Sequence, residues 1–190
     1  MTLAPRGRML SNLRGMALIA RGRPEGLNCF RDTREAFFFS LAPGLGFILA
    51  GVINALAEGE TTTVFVKILA PICALLAPSV LSYELARLWG RHGFWNRFIV
   101  AFNWCQWLIP PLGLLLLAVL TIAQTMGIAG QDGIRIVLVA VSFYALWLNW
   151  FLARHGLALS RGRAALLVAI VTLGNALIVF GPGVLMDLFE

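Results

Sequence analysis

The chain has 190 residues, of which 59% are hydrophobic and only 13% charged, and its mean hydropathy is +0.84. A soluble domain of this length covers its core with a charged surface, and here the charge is too sparse and too clustered to do so, which places the chain in the membrane class. The formal net charge of +6 comes from basic residues beside apolar spans, so it points to membrane topology and anionic lipid headgroups, and no nucleic-acid partner is expected.

Residues 1–35 form a basic arm with seven arginines: Arg6, Arg8, Arg14, Arg21, Arg23, Arg31 and Arg34. Within it Met9, Leu10, Leu13, Met16, Ala17 and Ala20 recur at helical spacing, with Ser11 and Arg14 off that stripe. The pattern predicts a basic amphipathic helix lying on the membrane surface; the alternative is a disordered basic arm. The apolar patch Met16 to Ala20 is too short, and too closely flanked by arginine, for a cleavable signal. Pro24 is expected to end the helix, and Asp32-Thr33-Arg34-Glu35 has the form of a capping box opening the next one.

Five apolar spans follow in residues 36–190, each long enough for a bilayer that needs about 20 residues. They run from Ala36 to Ala57, Val64 to Trp89, Trp95 to Ala123, Ile134 to Ala153 and Ala164 to Leu188. The fold class is therefore all-α, a polytopic bundle of five transmembrane helices. The arm and the loops holding Arg87, Arg91, Arg97, Arg154, Arg161 and Arg163 carry thirteen basic residues, against Lys67 and Arg135 on the other side. That other side also holds Glu58, Glu60, Asp132, Asp187 and Glu190. The imbalance puts the N-terminus in the cytoplasm and the C-terminus outside.

All six tryptophans fall in the basic half of their spans, together with Phe37-Phe38-Phe39. Trp89, Trp95 and Trp150 suit an interfacial belt, whereas Trp104 and Trp107 sit about 10–15 Å deeper than Arg97 and are expected between helices. Small residues at every fourth position, Ala42-Gly46-Ala50 (ending at Asn54) and Ala165-Ala169, are expected where helix backbones meet. Pro71 and Pro78 share a face of the second span and Pro110-Pro111 interrupts the third, so kinks are expected at both places.

Polar residues inside the spans are the candidate chemistry. Glu84 and Arg87, three apart, share a helix face near the end of the second span, where they can pair and Arg87 can reach the headgroups. Asn103, Gln106 and Trp107 make one polar-aromatic face of the third span, with Asn149 at comparable depth in the fourth and Asn175 nearer the middle of the fifth. Two readings stand: a small cytoplasm-facing pocket that binds through Glu84, Arg87, Asn103, Gln106 and Asn149, or interhelical hydrogen bonds each worth about 0.6–2 kcal/mol. Both histidines occur in Arg-His-Gly triplets, at Arg91-His92-Gly93 and Arg154-His155-Gly156, which fits helix C-terminal capping better than metal binding. Cys29, Cys73 and Cys105 have neither disulfide nor metal spacing. No catalytic motif is present, so neither catalytic residues nor cofactors or metals are assigned, and an enzyme is the least supported class.

Gly26-Leu27 followed by Phe30, then Phe37 and Ser40, resembles the start of the first helix in a group of uncharacterised bacterial multi-pass proteins. Phe98 to Trp104 and Tyr144 to Trp150 are similar to the same group. More loosely, five helices behind a cytoplasmic segment resemble the Yip family of Ypt/Rab-interacting membrane proteins, in which that segment is implicated in partner binding. The resemblance implies no catalytic residues, and a short basic arm replaces the long polar segment of many members. The expected protein is thus an inner-membrane, non-catalytic scaffold or accessory subunit that associates with itself or another membrane protein. The alternative is a small transporter or channel using the polar pocket.

Overall fold

In the computed structural model, residues 5–57, 64–126 and 132–189 are described. The expected outer-loop acids Glu58 and Glu60, and Glu190, lie outside the described residues, as do the side chains of Lys67 and Asp187. Seven α-helices occur in these segments: α1 (Pro5–Ala20), α2 (Arg34–Ala57), α3 (Val64–Leu88), α4 (Trp95–Gln106), α5 (Ile109–Thr125), α6 (Gly133–Gly156) and α7 (Arg161–Phe189). Short 3-10 turns at Pro24–Cys29 and His92–Phe94 join α1 to α2 and α3 to α4. There is no strand among the described residues. Five helical stretches are long and apolar enough to cross a membrane: Arg34–Ala57, Ile68–Leu88, His92–Thr125, Gly133–Gly156 and Arg161–Val179. These are the five expected spans, and the fold is an all-helical, multi-pass membrane bundle.

The third span is two helices. α4 stops at Gln106 and α5 begins at Ile109, with Pro110 and Pro111 in its first turn. Proline has no N–H, so the carbonyls of Gln106 and Trp107, four residues upstream, have no intrahelical donor, and the helix breaks there. α3, by contrast, stays helical through both Pro71 and Pro78.

The core gathers around α4. Phe98, Ile99, Val100, Ala101, Phe102, Trp104 and Cys105 are all buried, because α1, α2, α3 and α6 surround the helix. Leu148, Leu152 and Leu157, at the end of α6 and just beyond it, and Leu167 and Val168 of α7 complete the same cluster. All of this lies toward the end that holds the arm and the turns after α3 and α6. α5 has no buried residue, so past the break the bundle loosens.

The arm belongs to this core. Met16, Ile19, Leu27 and Phe30 join the cluster, and Tyr144 Oη donates to the Ala20 carbonyl (3.3 Å). The helix expected in the arm is present, but it turns a different face inward. Ser11, Asn12, Gly15, Met16 and Ile19 point to the bundle, whereas Met9, Leu10, Leu13 and Ala17 of the expected stripe are exposed. Gly15 sets this rotation, since a Cβ there would lie 2.6 Å from the Phe30 ring, and one on Gly26 would lie 2.7 Å from the Gly15 carbonyl. Gly22, at φ +73°, ends α1 two residues before Pro24. Arg23 N–H donates to Leu18 O and Gly22 N–H to Ile19 O, the Schellman pattern. α2 is capped by Thr33, whose hydroxyl accepts from Ala36 N–H (3.2 Å); the acid expected three residues on is displaced, so only half of a capping box forms.

The two Arg-His-Gly triplets are not equivalent. After α3 the left-handed residue is Gly90, so Arg91-His92-Gly93 follows the cap and enters the 3-10 turn. At the end of α6 the triplet is still helical and Ala158 adopts the left-handed conformation (φ +50°). His155 Nδ1 lies 3.0 Å from the Phe151 carbonyl, and its ring sits against the Phe151 ring.

The small-residue stripes also point the other way. Ala42, Gly46 and Ala50 are exposed, and a Cβ on Gly46 meets nothing within 4 Å. Ala165 and Ala169 are exposed too, and α7 packs through Ala164, Leu167, Val168 and Val171. Close backbone approach occurs instead at Gly44 and Gly174, where a Cβ would come within 2.7 Å of Leu75 and Leu81 respectively.

The arm's docking can be tested at Gly15. Gly15→Val is expected to release α1 while leaving the five spans folded, read as faster protease cleavage between residues 9 and 30 with unchanged helical content. Equal protease resistance in the two proteins would sink the interlocked-arm description.

Candidate functional site

Where the core stops, the helices border an open cavity of about 530 Å³. Its polar lining comes from Ser40 of α2, Asn103 and Gln106 of α4, Asn149 of α6 and Thr172 and Asn175 of α7. Phe102, Trp107 and Pro110 form much of the apolar wall. At 1.5 Å per residue, Asn103 lies about 12 Å from the start of α4, Asn149 about 10 Å from the end of α6 and Asn175 about 21 Å from the start of α7. The cavity therefore sits near the middle of the membrane-spanning region.

Two hydrogen bonds tie it together. Asn103 Nδ2 donates to Ser40 Oγ (2.8 Å), and Ser40 in turn donates to the Phe37 carbonyl (2.6 Å), fixing its hydroxyl. Gln106 Nε2 donates to Asn149 Oδ1 (3.0 Å). Both α4 amides therefore bridge to a neighbouring helix, as the hydrogen-bond reading expects, and both line a cavity, as the pocket reading expects. Trp107 stacks on Phe47 with ring centroids 5.0 Å apart. Asn175 Oδ1 is buried and has no hydrogen-bond partner. A buried amide oxygen without a donor costs about 1–3 kcal/mol, so this group is primed to accept.

The charged pair expected in this pocket is elsewhere. Glu84 and Arg87 do pair with each other (3.7 Å), but their side chains are 61% and 69% exposed and line none of this cavity. Each sits within a turn of the end of α3, where a charged head can reach the headgroup layer along the outside of the bundle. Of the five expected binding residues, Asn103, Gln106 and Asn149 converge and Glu84 and Arg87 do not. Thr172 was not singled out by the sequence, and Ser40 only within the resemblance at the start of the first span, not as a pocket residue. A single hydroxyl in an apolar helix is a weak signal, and only its depth, matched to Asn103, distinguishes Ser40.

Phe98, Ile99, Leu152, Leu157 and Leu167, each at most 2% exposed, fill the bundle between the amide-lined cavity and the basic end. On its other side a second, apolar cavity of about 450 Å³ shares Gly44, Ala74, Leu75 and Val179 with it and extends toward Ile48 and Pro71. The polar space thus continues away from the arginines. A packed apolar layer closes it on their side.

Among the described residues no group of three or more His, Cys, Asp or Glu side chains could hold a metal ion. Comparison with protein-family models, with curated proteins and with solved structures gives no match.

The Gln106–Asn149 bond makes a specific energetic prediction. Asn149→Leu strands the Gln106 amide and is expected to cost about 1–2 kcal/mol of stability in detergent, whereas Gln106→Leu/Asn149→Leu should cost less than the two single changes combined. Strict additivity in the unfolding free energies would show that the two amides act independently.

Proposed function

We propose that the chain is a bacterial inner-membrane protein, N-terminus cytoplasmic and C-terminus outside, that holds a small polar solute of no net charge in its central cavity, as the binding site of a small transporter or channel. One observation carries this reading: six neutral polar side chains line a membrane-embedded space, and the buried Asn175 carbonyl among them has no donor. The volume falls within the range of small-molecule sites, about 300–1,000 Å³. Among the described residues no charged side chain lines the cavity, which favours an uncharged solute, since a buried charge there would face an uncompensated desolvation cost. The helix break beside it fits too, because irregular backbone at membrane depth is tolerated where it lines a cavity. With the arm in the cytoplasm, the apolar cavity that shares Gly44, Ala74, Leu75 and Val179 with it lies on the outer side.

The scaffold reading rests on a different surface. Ala42, Gly46 and Ala50 present small residues to the outside of α2 with open space beyond Gly46, which suits close approach of a second membrane helix. An N-terminal segment packed on a five-helix bundle is also the architecture that the Yip resemblance implies, and it supports partner binding by the arm. The two readings are compatible, since a transporter built from this chain, which has no evident internal inverted repeat, would be a dimer.

The solute reading is tested by stopped-flow light scattering of reconstituted vesicles challenged with small neutral polar solutes from urea to monosaccharide size. Wild-type vesicles are expected to re-swell faster than protein-free ones for at least one solute, Asn103→Leu/Asn175→Leu to remove that gain, and Glu84→Gln to keep it. Permeation no faster than in empty vesicles across the series, or its loss in Glu84→Gln alone, would overturn the cavity's role. For the second surface, Gly46→Leu is expected to leave monomer stability within about 0.5 kcal/mol, as outward-facing substitutions do, while weakening self-association measured by single-molecule photobleaching in bilayers. Unchanged oligomer distributions would remove the stripe as a contact.

A further inference from the structure

A separate cavity of about 400 Å³ lies between the arm and the bundle. Asn12 and Asn28 of the arm, Arg31 of the segment leading into α2 and Glu35 of the first turn of α2 supply polar lining, while Phe39 and Trp104 supply an aromatic wall. The neighbouring hydroxyls are committed: Ser11 Oγ donates to the Cys29 carbonyl (2.8 Å) and Thr33 Oγ1 accepts from Ala36 N–H (3.2 Å). Among the described residues Arg31 and Glu35 form no ion pair with any group, and Asn12 and Asn28 make no side-chain hydrogen bond. One cation, one anion and two amides therefore surround a space with an apolar wall, all uncommitted.

We propose that this cavity binds the headgroup of one zwitterionic phospholipid carrying a primary amine. The phosphate lies against the Arg31 guanidinium, the ammonium against the Glu35 carboxylate, and an acyl chain runs down over Phe39. Charge matching selects this class. Guanidinium binds a phosphate through charge-assisted hydrogen bonds, and a carboxylate on the same rim repels an anionic headgroup but pairs with an ammonium. Geometry selects a lipid over a soluble phosphoester: Phe39 is 63% exposed on the outer face of α2, so the aromatic wall opens toward the hydrocarbon rather than closing over a solute. The site is distinct from the central cavity, from which Trp104 and Phe39 face away, and it stands whether or not that cavity carries solute.

The test is native mass spectrometry of the full chain released from nanodiscs containing equal phosphatidylethanolamine and phosphatidylglycerol. Wild type is expected to retain one phosphatidylethanolamine per chain about tenfold in preference to phosphatidylglycerol, the ratio that one charge-assisted contact sustains. Glu35→Gln should erase that preference, Arg31→Ala should lower retention of both lipids, and Glu84→Gln, a surface carboxylate outside the cavity, should change neither. Equal retention of the two lipids by wild type, or a preference surviving Glu35→Gln, overturns the proposal. So does displacement of the lipid by an equimolar amount of glycerophosphoethanolamine, which shares the headgroup and lacks the chains. Arg31 is exposed and outside every helix, so its variant tests the site even if Glu35→Gln weakens the start of α2.

Discussion

Inside a bilayer, backbone N–H and C=O groups have no water to turn to, so a helix that breaks there must break inside protein. Pro110 and Pro111 impose such a break by withholding the N–H groups that the Gln106 and Trp107 carbonyls need. The arrangement of α4 follows from it. Its twelve residues run into the middle of the bundle with α1, α2, α3 and α6 around them, and the break at its end is half-buried beside the amide-lined cavity. α5 then leaves along α6 with no residue buried, which its unbroken internal hydrogen bonding permits. The crowded half and the open half of the molecule are two sides of the same backbone constraint.

The side chains at the break are the kind that this position tolerates. An ionised group there would pay several kcal/mol in desolvation, whereas amides and hydroxyls can satisfy one another across helices. Asn103 with Ser40 and Gln106 with Asn149 do so, which locks α4 to α2 on one side and to α6 on the other. Each bond leaves polar capacity over, because an amide has two donor hydrogens and an acceptor with two lone pairs. Holding the bundle together and lining a cavity are therefore not competing roles for these residues.

How much of this was legible depended on which physical signal was being read. Five spans could be read because length and hydropathy report membrane crossing directly, and the break could be read because a Pro-Pro pair has one structural meaning. The faces could not. In water, apolar periodicity marks the buried side of a helix; in a bilayer the outside is apolar too, so Ala42-Gly46-Ala50 and Ala165-Ala169 look like packing stripes and yet face outward. The same ambiguity rotated the arm, whose exposed Met9, Leu10 and Leu13 resemble a buried stripe. Polar residues escape it, since only they require partners, and so Asn103, Gln106 and Asn149 were placed together correctly. Glu84 and Arg87 pair with each other near the end of α3, as their spacing suggests, and stand outside the cavity because long charged side chains near a helix end can satisfy themselves at the headgroups.

The unequal packing of the two halves bears on how any solute would move. Between the amide cavity and the basic end stand Phe98, Ile99, Leu148, Leu152 and Leu157, all within 1% of complete burial. Passage through that layer requires these side chains to separate, and interiors packed at this density change between discrete arrangements rather than swelling gradually. The arm meets this layer through Met16, Ile19, Leu27, Phe30 and the Tyr144 hydroxyl, and in the turn after α6 Ala158 holds a left-handed conformation that costs a β-carbon about 1–2 kcal/mol. Both lie at the basic end. An arm that contributes to the core, rather than trailing from it, shares one packed cluster with this layer, so displacing the arm would also uncover Phe98 and Leu152.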